Sequence, residues 1–303
     1  MASKARIGVL GAGLMGHGIA QVFALHGHEV RIYDPSAAAL ETVRARIAAN
    51  LRDLEEDEGA AAHVAPASTI AECVGDADFV VEAALENLAV KQALFAEVER
   101  HAPAHAILAS NTSVIPITSI MKGVADGART VGTHWWNPPF LVPLVEVIGT
   151  DRTSQATIDA TMALHEAIGK TPVHVKKDVP GFVGNRLQHA LWREAISLVE
   201  NGICDARTVD TVVKASFGRR LGVLGPLENA DLVGTDLTLA IHNTVLPAIE
   251  SRPGSSPYLE GLVASGKLGM KSGEGFRTWT AEEQAELRQK VVQHLKKARK
   301  DDA

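Results

Sequence analysis

The sequence predicts an α/β protein in two parts: a doubly wound parallel-sheet domain over residues 1–179, and a smaller all-helical domain over residues 180–303. Three observations carry this. A glycine turn near the start lies between a β-type run and a helical run. Strand-like and helix-like segments then alternate as far as Lys176, the pattern of a parallel sheet covered by helices. From Gly181 onward only helical periodicity is found.

Arg6-Ile-Gly-Val-Leu10 is a short apolar run of β type. Gly11-Ala-Gly13-Leu14-Met15-Gly16 follows, then Ile19, Ala20, Val22, Phe23 and Leu25 at helical spacing. Glu29-Val-Arg-Ile-Tyr33 is the next strand, and Asp34 closes it. Strand, glycine turn, helix and terminal acid together form a Rossmann-type dinucleotide-binding fingerprint, which a bare G-x-G-x-x-G does not. Gly11 makes the tight turn, Gly13 lets a pyrophosphate approach the backbone, and Gly16 lets helix and strand pack closely. The helix start at Leu14 and Met15 offers free N–H groups to the phosphates. Asp34 would accept both ribose hydroxyls and repel a 2′-phosphate, and Pro35-Ser36 supply no arginine to hold one. The expected cofactor is NAD.

Ser36 to Leu54 reads as a helix with Leu40, Val43, Ile47 and Leu51 on one face, running into the acidic stretch Asp53-Leu-Glu-Glu-Asp-Glu58 and a loop to Ser68. Ala77-Asp-Phe-Val-Val-Glu82 reads as a buried strand, followed by Glu86 and a helix carrying Lys91. Ala106-Ile-Leu-Ala-Ser110 is another strand. It ends in Asn111-Thr112-Ser113, small polar residues where an α/β sheet places its ligand. Thr112 reads equally well as a cap for the next helix.

The stretch Thr133-His134-Trp135-Trp136-Asn137-Pro138-Pro139-Phe140, continuing to Pro143-Leu-Val-Glu146, carries the chemistry. His134 ends one strand and Glu146 lies in a neighbouring one. A histidine exchanges protons near neutral pH, and a carboxylate on its other nitrogen fixes the tautomer and steadies the imidazolium. A lone histidine is more often structural, so the pairing and the NAD fingerprint together carry the assignment. Thr153 to Ile168 reads as an amphipathic helix and Pro172-Val-His-Val-Lys176 as a last strand.

In the second half, Phe182, Leu187, Leu191, Ala195 and Leu198 line one face of a long helix that stops at Asn201-Gly202. Asp205 caps the next. Further helices are expected over residues 225–231, 235–250 and 256–265. Thr280 with Glu283 forms a capping box that opens the final one, whose basic end, Lys296 to Lys300, reads as a solubilising tail. The apolar faces of this half predict packing against a second subunit, a homodimer.

Composition narrows the function classes. Among the 303 residues, 46% are hydrophobic and 22% charged, a globular profile. The net charge of −6 argues against a nucleic-acid or anionic-membrane partner, and 4% aromatics leave few platforms for stacking bases. Ile7 to Leu25 is apolar enough to mimic a membrane span, but its glycines, His17 and the strand that follows spoil that reading. Cys73 and Cys204 stand far apart with no metal-ligand spacing around them. They are expected to be reduced thiols in a cytoplasmic protein that needs no metal.

Several motifs in order then make the chain resemble one family, the L-3-hydroxyacyl-CoA dehydrogenases, over almost its whole length. They run from Gly11-Ala-Gly-Leu-Met-Gly16 through Val81-Glu-Ala, Glu86-Asn-Leu-Ala-Val-Lys91, Ser110-Asn-Thr-Ser113, His134-x-x-Asn137, Leu144-Val-Glu-Val-Ile148 and Val179-Pro-Gly-Phe-Val-Gly-Asn-Arg186 to Gly266-Lys-Leu-Gly-Met-Lys-Ser-Gly-Glu-Gly-Phe276. The resemblance implies a Rossmann-type domain, then a dimerising helical domain, with the active site in the cleft between them. It implies that His134 is the catalytic base and Glu146 its partner. Ser113 would hydrogen-bond the reacting oxygen, with Asn137 and Asn185 lining the site. Glu86 and Lys91 would hold the nicotinamide-ribose side of NAD, beside Asn111.

The chain departs from the family's pattern around the substrate. Where acyl-CoA members carry lysines suited to the CoA phosphates, this chain has Leu51-Arg-Asp-Leu-Glu-Glu-Asp-Glu58. The usual Phe-Phe-Asn-Pro is Trp135-Trp136-Asn137-Pro138 here, which makes Trp135 a candidate substrate contact. The stretch before Gly225-Pro226 is Phe217-Gly-Arg-Arg-Leu-Gly-Val-Leu. These features are similar to the branch that oxidises free hydroxy acids, which includes the L-gulonate, carnitine and pyridine-carboxylate dehydrogenases. In that reading Arg220 pairs with a substrate carboxylate; as a helix-end charge it would have no such role. Two other readings stand beside this one: a true 3-hydroxyacyl-CoA dehydrogenase, and an NAD-binding protein without turnover.

Overall fold

The computed structural model describes residues 4–301. The chain runs β1 (Arg6–Leu10), α1 (Leu14–Leu25), β2 (Glu29–Tyr33), α2 (Ala37–Asp53), β3 (Val64–Pro66), α3 (Ile70–Val74), β4 (Phe79–Glu82), α4 (Leu88–His101), β5 (Ile107–Ser110), α5 (Ile117–Ile120), β6 (Thr130–Trp135), β7 (Leu144–Ile148), α6 (Gln155–Ala167) and β8 (Thr171–Val175). Helices follow: α7 (Gly184–Glu200), α8 (Ala206–Ala215), α9 (Pro226–Val233), α10 (Thr235–Val245), α11 (Pro257–Ala264) and α12 (Ala281–Asp301).

The eight strands form one sheet in the order β3-β2-β1-β4-β5-β6-β7-β8. All neighbouring pairs are parallel except β6 and β7. The order reverses between β1 and β4, so the carboxyl ends of these strands flank the switch point where an open α/β sheet holds its ligand. Two apolar layers bury the sheet. One gathers Phe23, Val43, Ile47, Leu51 and Trp135, and the other Phe95, Val98, Ile117 and Ile120.

Local signals explain the element boundaries. Ser36, Thr69, Asn87 and Ser154 cap α2, α3, α4 and α6, each accepting a first-turn backbone N–H. The reciprocal bonds of Thr280 and Glu283 open α12 as the capping-box pattern requires. The segment expected to be a loop before Ser68 instead contains a 3-10 turn (Glu58–His63) and β3, which extends the sheet edge by three residues. Three residues are too few for a period-2 pattern to be read.

The chain separates into two compact units. The first comprises the chain through Asn185 together with residues from Val292 on, and the second is Arg186–Val291. By packing, the division falls between Asn185 and Arg186, and the C-terminal tail belongs to the first unit. It is held there through charge. Lys296 pairs with Asp53 (2.7 Å), Arg299 with Glu56 (2.5 Å) and Lys300 with Glu55 (3.1 Å). The tail is thus not merely solvated, as its composition had suggested; it neutralises the acidic run at the end of α2.

Among the described residues no helix is long and apolar enough to cross a membrane. Nor is any group of three or more His, Cys, Asp or Glu side chains placed to hold a metal.

Candidate active site

At the carboxyl end of β1, Gly11 adopts φ +106°, and a side chain there would collide with the Ala83 carbonyl at 2.5 Å. A Cβ at Gly16 would lie 1.7 Å from the Gly11 carbonyl oxygen, so turn and helix approach as closely as they do only because both residues are glycine. Nothing lies within 4 Å of where a Cβ at Gly13 would stand. Gly13 caps α1 without a side-chain hydrogen bond, so the first-turn N–H groups from Leu14, Met15 and Gly16 lack a side-chain cap. Asp34 receives the Ala12 N–H on one oxygen (2.7 Å) and the Ser36 N–H on the other (2.8 Å). This carboxylate braces the glycine turn and keeps lone pairs on both oxygens. An uncapped helix start with an open approach over Gly13 and an acid at the end of β2 fits the pyrophosphate and ribose of NAD.

Next to this turn, β4 and β5 place a buried ionic cluster. Glu82 is fully buried and takes hydrogen bonds from Lys91 Nζ (2.6 Å), Ser110 Oγ (2.6 Å) and the Ala84 N–H (2.7 Å). Lys91, also buried, reaches Glu86 at 3.2 Å. Glu86 in turn accepts from Thr112 Oγ1 (2.5 Å) and from the Ser113 N–H (3.0 Å). Burial pushes the Glu86 carboxyl up, but the Thr112 hydroxyl and the Lys91 ammonium outweigh it, so the group lies below its ordinary value. The expected cofactor residues Glu86 and Lys91 are thus joined, with Lys91 acting from beneath. Sequence reasoning gave Glu82 no role. Its signal is a charged residue closing the buried run Phe79-Val-Val-Glu82 at the ligand end of a parallel strand.

The antiparallel register of β6 and β7 sets His134 opposite Glu146. His134 Nδ1 and Glu146 Oε2 are 2.7 Å apart, and both residues are buried. The other carboxylate oxygen accepts the N–H groups of Val183 (2.8 Å) and Gly184 (3.0 Å). These converge because Gly181 and Phe182 both take positive φ, +75° and +50°. Phe182 is buried in that uncommon conformation, with its ring centroid 5.6 Å from the His134 ring. Burial raises the Glu146 carboxyl, but the hydrogen bonds from His134, Gly184 and Val183 win, and it lies below its usual value. An ionised Glu146 obliges His134 to carry its proton on Nδ1, which leaves a lone pair on Nε2.

The structure brings several other expected site residues into this neighbourhood. Asn111 accepts the Trp135 N–H (2.9 Å), tying the end of β5 to β6. Asn185 donates to the Ser113 carbonyl oxygen (2.9 Å), which fixes the exposed Ser113. Asn137 is exposed beyond the end of β6. Trp135 requires a correction. It is 2% exposed and packs on Phe23 and His165 in the core, because alternation along β6 turns it to the face opposite His134. The tryptophan beside His134 is Trp136, with ring centroids 5.2 Å apart. Arg220 follows a 3-10 turn (Phe217–Arg219) in the second unit and is exposed. Burial pushes the Cys73 thiol up to about 12, so it offers no thiolate nucleophile.

Residues 6–179 match the family model for the 3-hydroxyacyl-CoA dehydrogenase NAD binding domain, and residues 181–279 the model for its C-terminal domain. The chain is 36% identical over 296 residues to 5-formyl-3-hydroxy-2-methylpyridine 4-carboxylate 5-dehydrogenase of Mesorhizobium japonicum, covering 94% of this chain and 96% of that protein. It is 39% identical over 283 residues to human mitochondrial hydroxyacyl-coenzyme A dehydrogenase, covering 88% and 89%. A solved structure of the pyridine-carboxylate 5-dehydrogenase, described as an NAD+-dependent dismutase, superposes with a TM-score of 0.91 at 33% identity, covering 98% of each chain. The chain therefore belongs to the 3-hydroxyacyl-CoA dehydrogenase family and is an NAD-dependent dehydrogenase acting on hydroxyl groups.

Proposed function

We propose that the chain oxidises the secondary alcohol of a free hydroxy acid to the ketone, with His134 as general base. The observation that carries this is the buried His134–Glu146 contact at 2.7 Å. NAD held over the glycine turn supplies the hydride acceptor. The lone pair on His134 Nε2 removes the hydroxyl proton, and Glu146 stabilises the imidazolium that forms. Ser113 and Asn137 orient the reacting oxygen, and Trp136 with Phe182 walls the imidazole from water. In the reverse direction His134 returns the proton to the new alkoxide. Glu86, held by Lys91 and Thr112, is positioned to receive the nicotinamide-side ribose.

Two observations support a free carboxylate over a CoA thioester. The segment Asp53–Glu58, where acyl-CoA members present cations, is acidic, and its cationic partners are the chain's own Arg52, Lys296, Arg299 and Lys300. The pyridine-carboxylate relative matches nearly end to end. In this reading Arg220 grips the carboxylate with its fork of donors.

The test is a substrate screen read by NADH absorbance, comparing free hydroxy acids with 3-hydroxybutyryl-CoA. His134→Gln should lower kcat by about 10²–10⁴-fold on the accepted substrate. Arg220→Ala should raise KM for a free acid by roughly 10–100-fold, the loss of one charged hydrogen bond. Efficient turnover of the thioester with none of any free acid would establish the acyl-CoA reading instead. Full activity of His134→Gln would remove the proposed base.

A further inference from the structure

Beside the carboxyl end of α1, on the Trp135 side of the sheet, lies a cavity of about 330 Å³, within the range of small-molecule sites. Val22, Leu25, Phe140 and Ile168 give it apolar walls. Its polar lining is Lys170, Gln21, His26 and Arg299, with no carboxylate among them. Lys170 Nζ donates to the carbonyl oxygens of Pro139 and Val142 (3.0 Å for the latter) and lies 4.9 Å from the centroid of the Trp135 ring. An ammonium has three protons to donate, so one remains. Gln21 is 1% exposed; its Oε1 accepts from Asn50 (3.0 Å), while its Nε2 has no hydrogen-bond partner. Buried donors of this kind are costly to leave unmatched. Arg299 is already engaged by Glu56. Desolvation holds the Lys170 ammonium down to about 7, as expected of a cation enclosed without a counter-ion.

We propose that this cavity is a binding site, separate from the His134 site, for a monocarboxylate bearing a short apolar chain. The carboxylate supplies the acceptor that the third Lys170 proton lacks, and the chain lies against Val22, Leu25 and Phe140. Trp135 separates the cavity from the catalytic face, because it and His134 project from opposite sides of β6. The ammonium that would bind the ligand also holds the carbonyls of the loop continuing from Asn137, so occupancy bears directly on that loop.

Isothermal titration calorimetry with octanoate tests this, with octan-1-ol and acetate as controls. Octanoate should bind the wild-type protein at least about tenfold more tightly than either control. Lys170→Met, which keeps the stem and removes the charge, and Leu25→Trp, which fills the space, should each weaken octanoate binding at least about tenfold. Arg220→Ala should leave it unchanged, which separates this site from the proposed substrate carboxylate contact. Thermal melts establish that the variants fold; should Lys170→Met not fold, Leu25→Trp decides. Absence of octanoate binding to the wild type, or undiminished binding to Leu25→Trp, would overturn the proposal. Neither result bears on substrate turnover at His134.

Discussion

Glu146 makes three hydrogen bonds, and their division between its two oxygens decides what a substitution would do. Oε1 faces the N–H groups of Val183 and Gly184, so it must be an acceptor; Oε2 faces His134 Nδ1. A glutamine would keep its carbonyl oxygen toward the two backbone donors and turn its NH₂ to the histidine. His134 would then have to accept at Nδ1 and carry its proton on Nε2, the tautomer that cannot take a proton from an alcohol. Glu146→Gln should therefore lower kcat by about 10²–10⁴-fold, with KM and melting temperature little changed. Steady-state kinetics beside a thermal melt provide the check, and a kcat within threefold of wild type would exclude a tautomer-fixing role. The His134–Glu146 pairing was legible in the sequence because two apolar runs bracket it. The assignment of Trp135 failed although the signal was present: with a period of two, a residue adjacent to a site-facing His134 must face the core. Glu82 and Lys91 were harder, because a buried ion pair within apolar surroundings has no periodicity of its own.

Among the elements, α6 carries an unusual burden. His165 is fully buried on its inner face, donates from Nδ1 to the Thr161 carbonyl oxygen (2.7 Å), and leaves Nε2 without a partner among Phe23, Phe79 and Trp135. Burial lowers its pKa to about 4 from the model-peptide 6.5. Between these values the unfolded chain binds a proton that the folded chain refuses. The stability is thus fully present above pH 6.5 and is lost as pH falls toward 4. The loss should reach about 2 kcal/mol at pH 5 and on the order of 3 kcal/mol at pH 4. Urea unfolding of wild type and His165→Leu at pH 7 and pH 5 isolates this contribution from other acid-sensitive groups. The variant should show a stability difference between the two pH values smaller by about 2 kcal/mol; equal differences would mean that His165 is protonated in the fold. Most strands and helices were readable from periodicity and capping residues. The docking of the α12 tail was not, because Lys296 and Asp53 are far apart in the chain and each reads locally as a solvated charge.

For the whole molecule, the two units contrast in how much they bury. The first has two continuous apolar layers, whereas α8, α9, α10 and α11 contain no buried residue. Large apolar side chains stand exposed on and beside them: Leu227 and Leu232 of α9 are 79% and 74% exposed, and Val223, just before α9, is 93% exposed. A helix is held in a protein chiefly by burying its apolar face, and soluble chains seldom leave so much apolar surface uncovered. A second copy of the same chain is the simplest cover, since a twofold axis makes one patch serve both sides of the contact. We therefore expect sedimentation equilibrium at micromolar concentration to give about twice the chain mass of 32.1 kDa. Leu227→Glu combined with Leu232→Glu places two charges on α9 and should shift the protein toward the single-chain mass, with a lowered melting temperature because the helical unit loses its cover. A wild-type protein that sediments at the single-chain mass while melting cooperatively would show that these helices are stable without a partner, and would count against the homodimer.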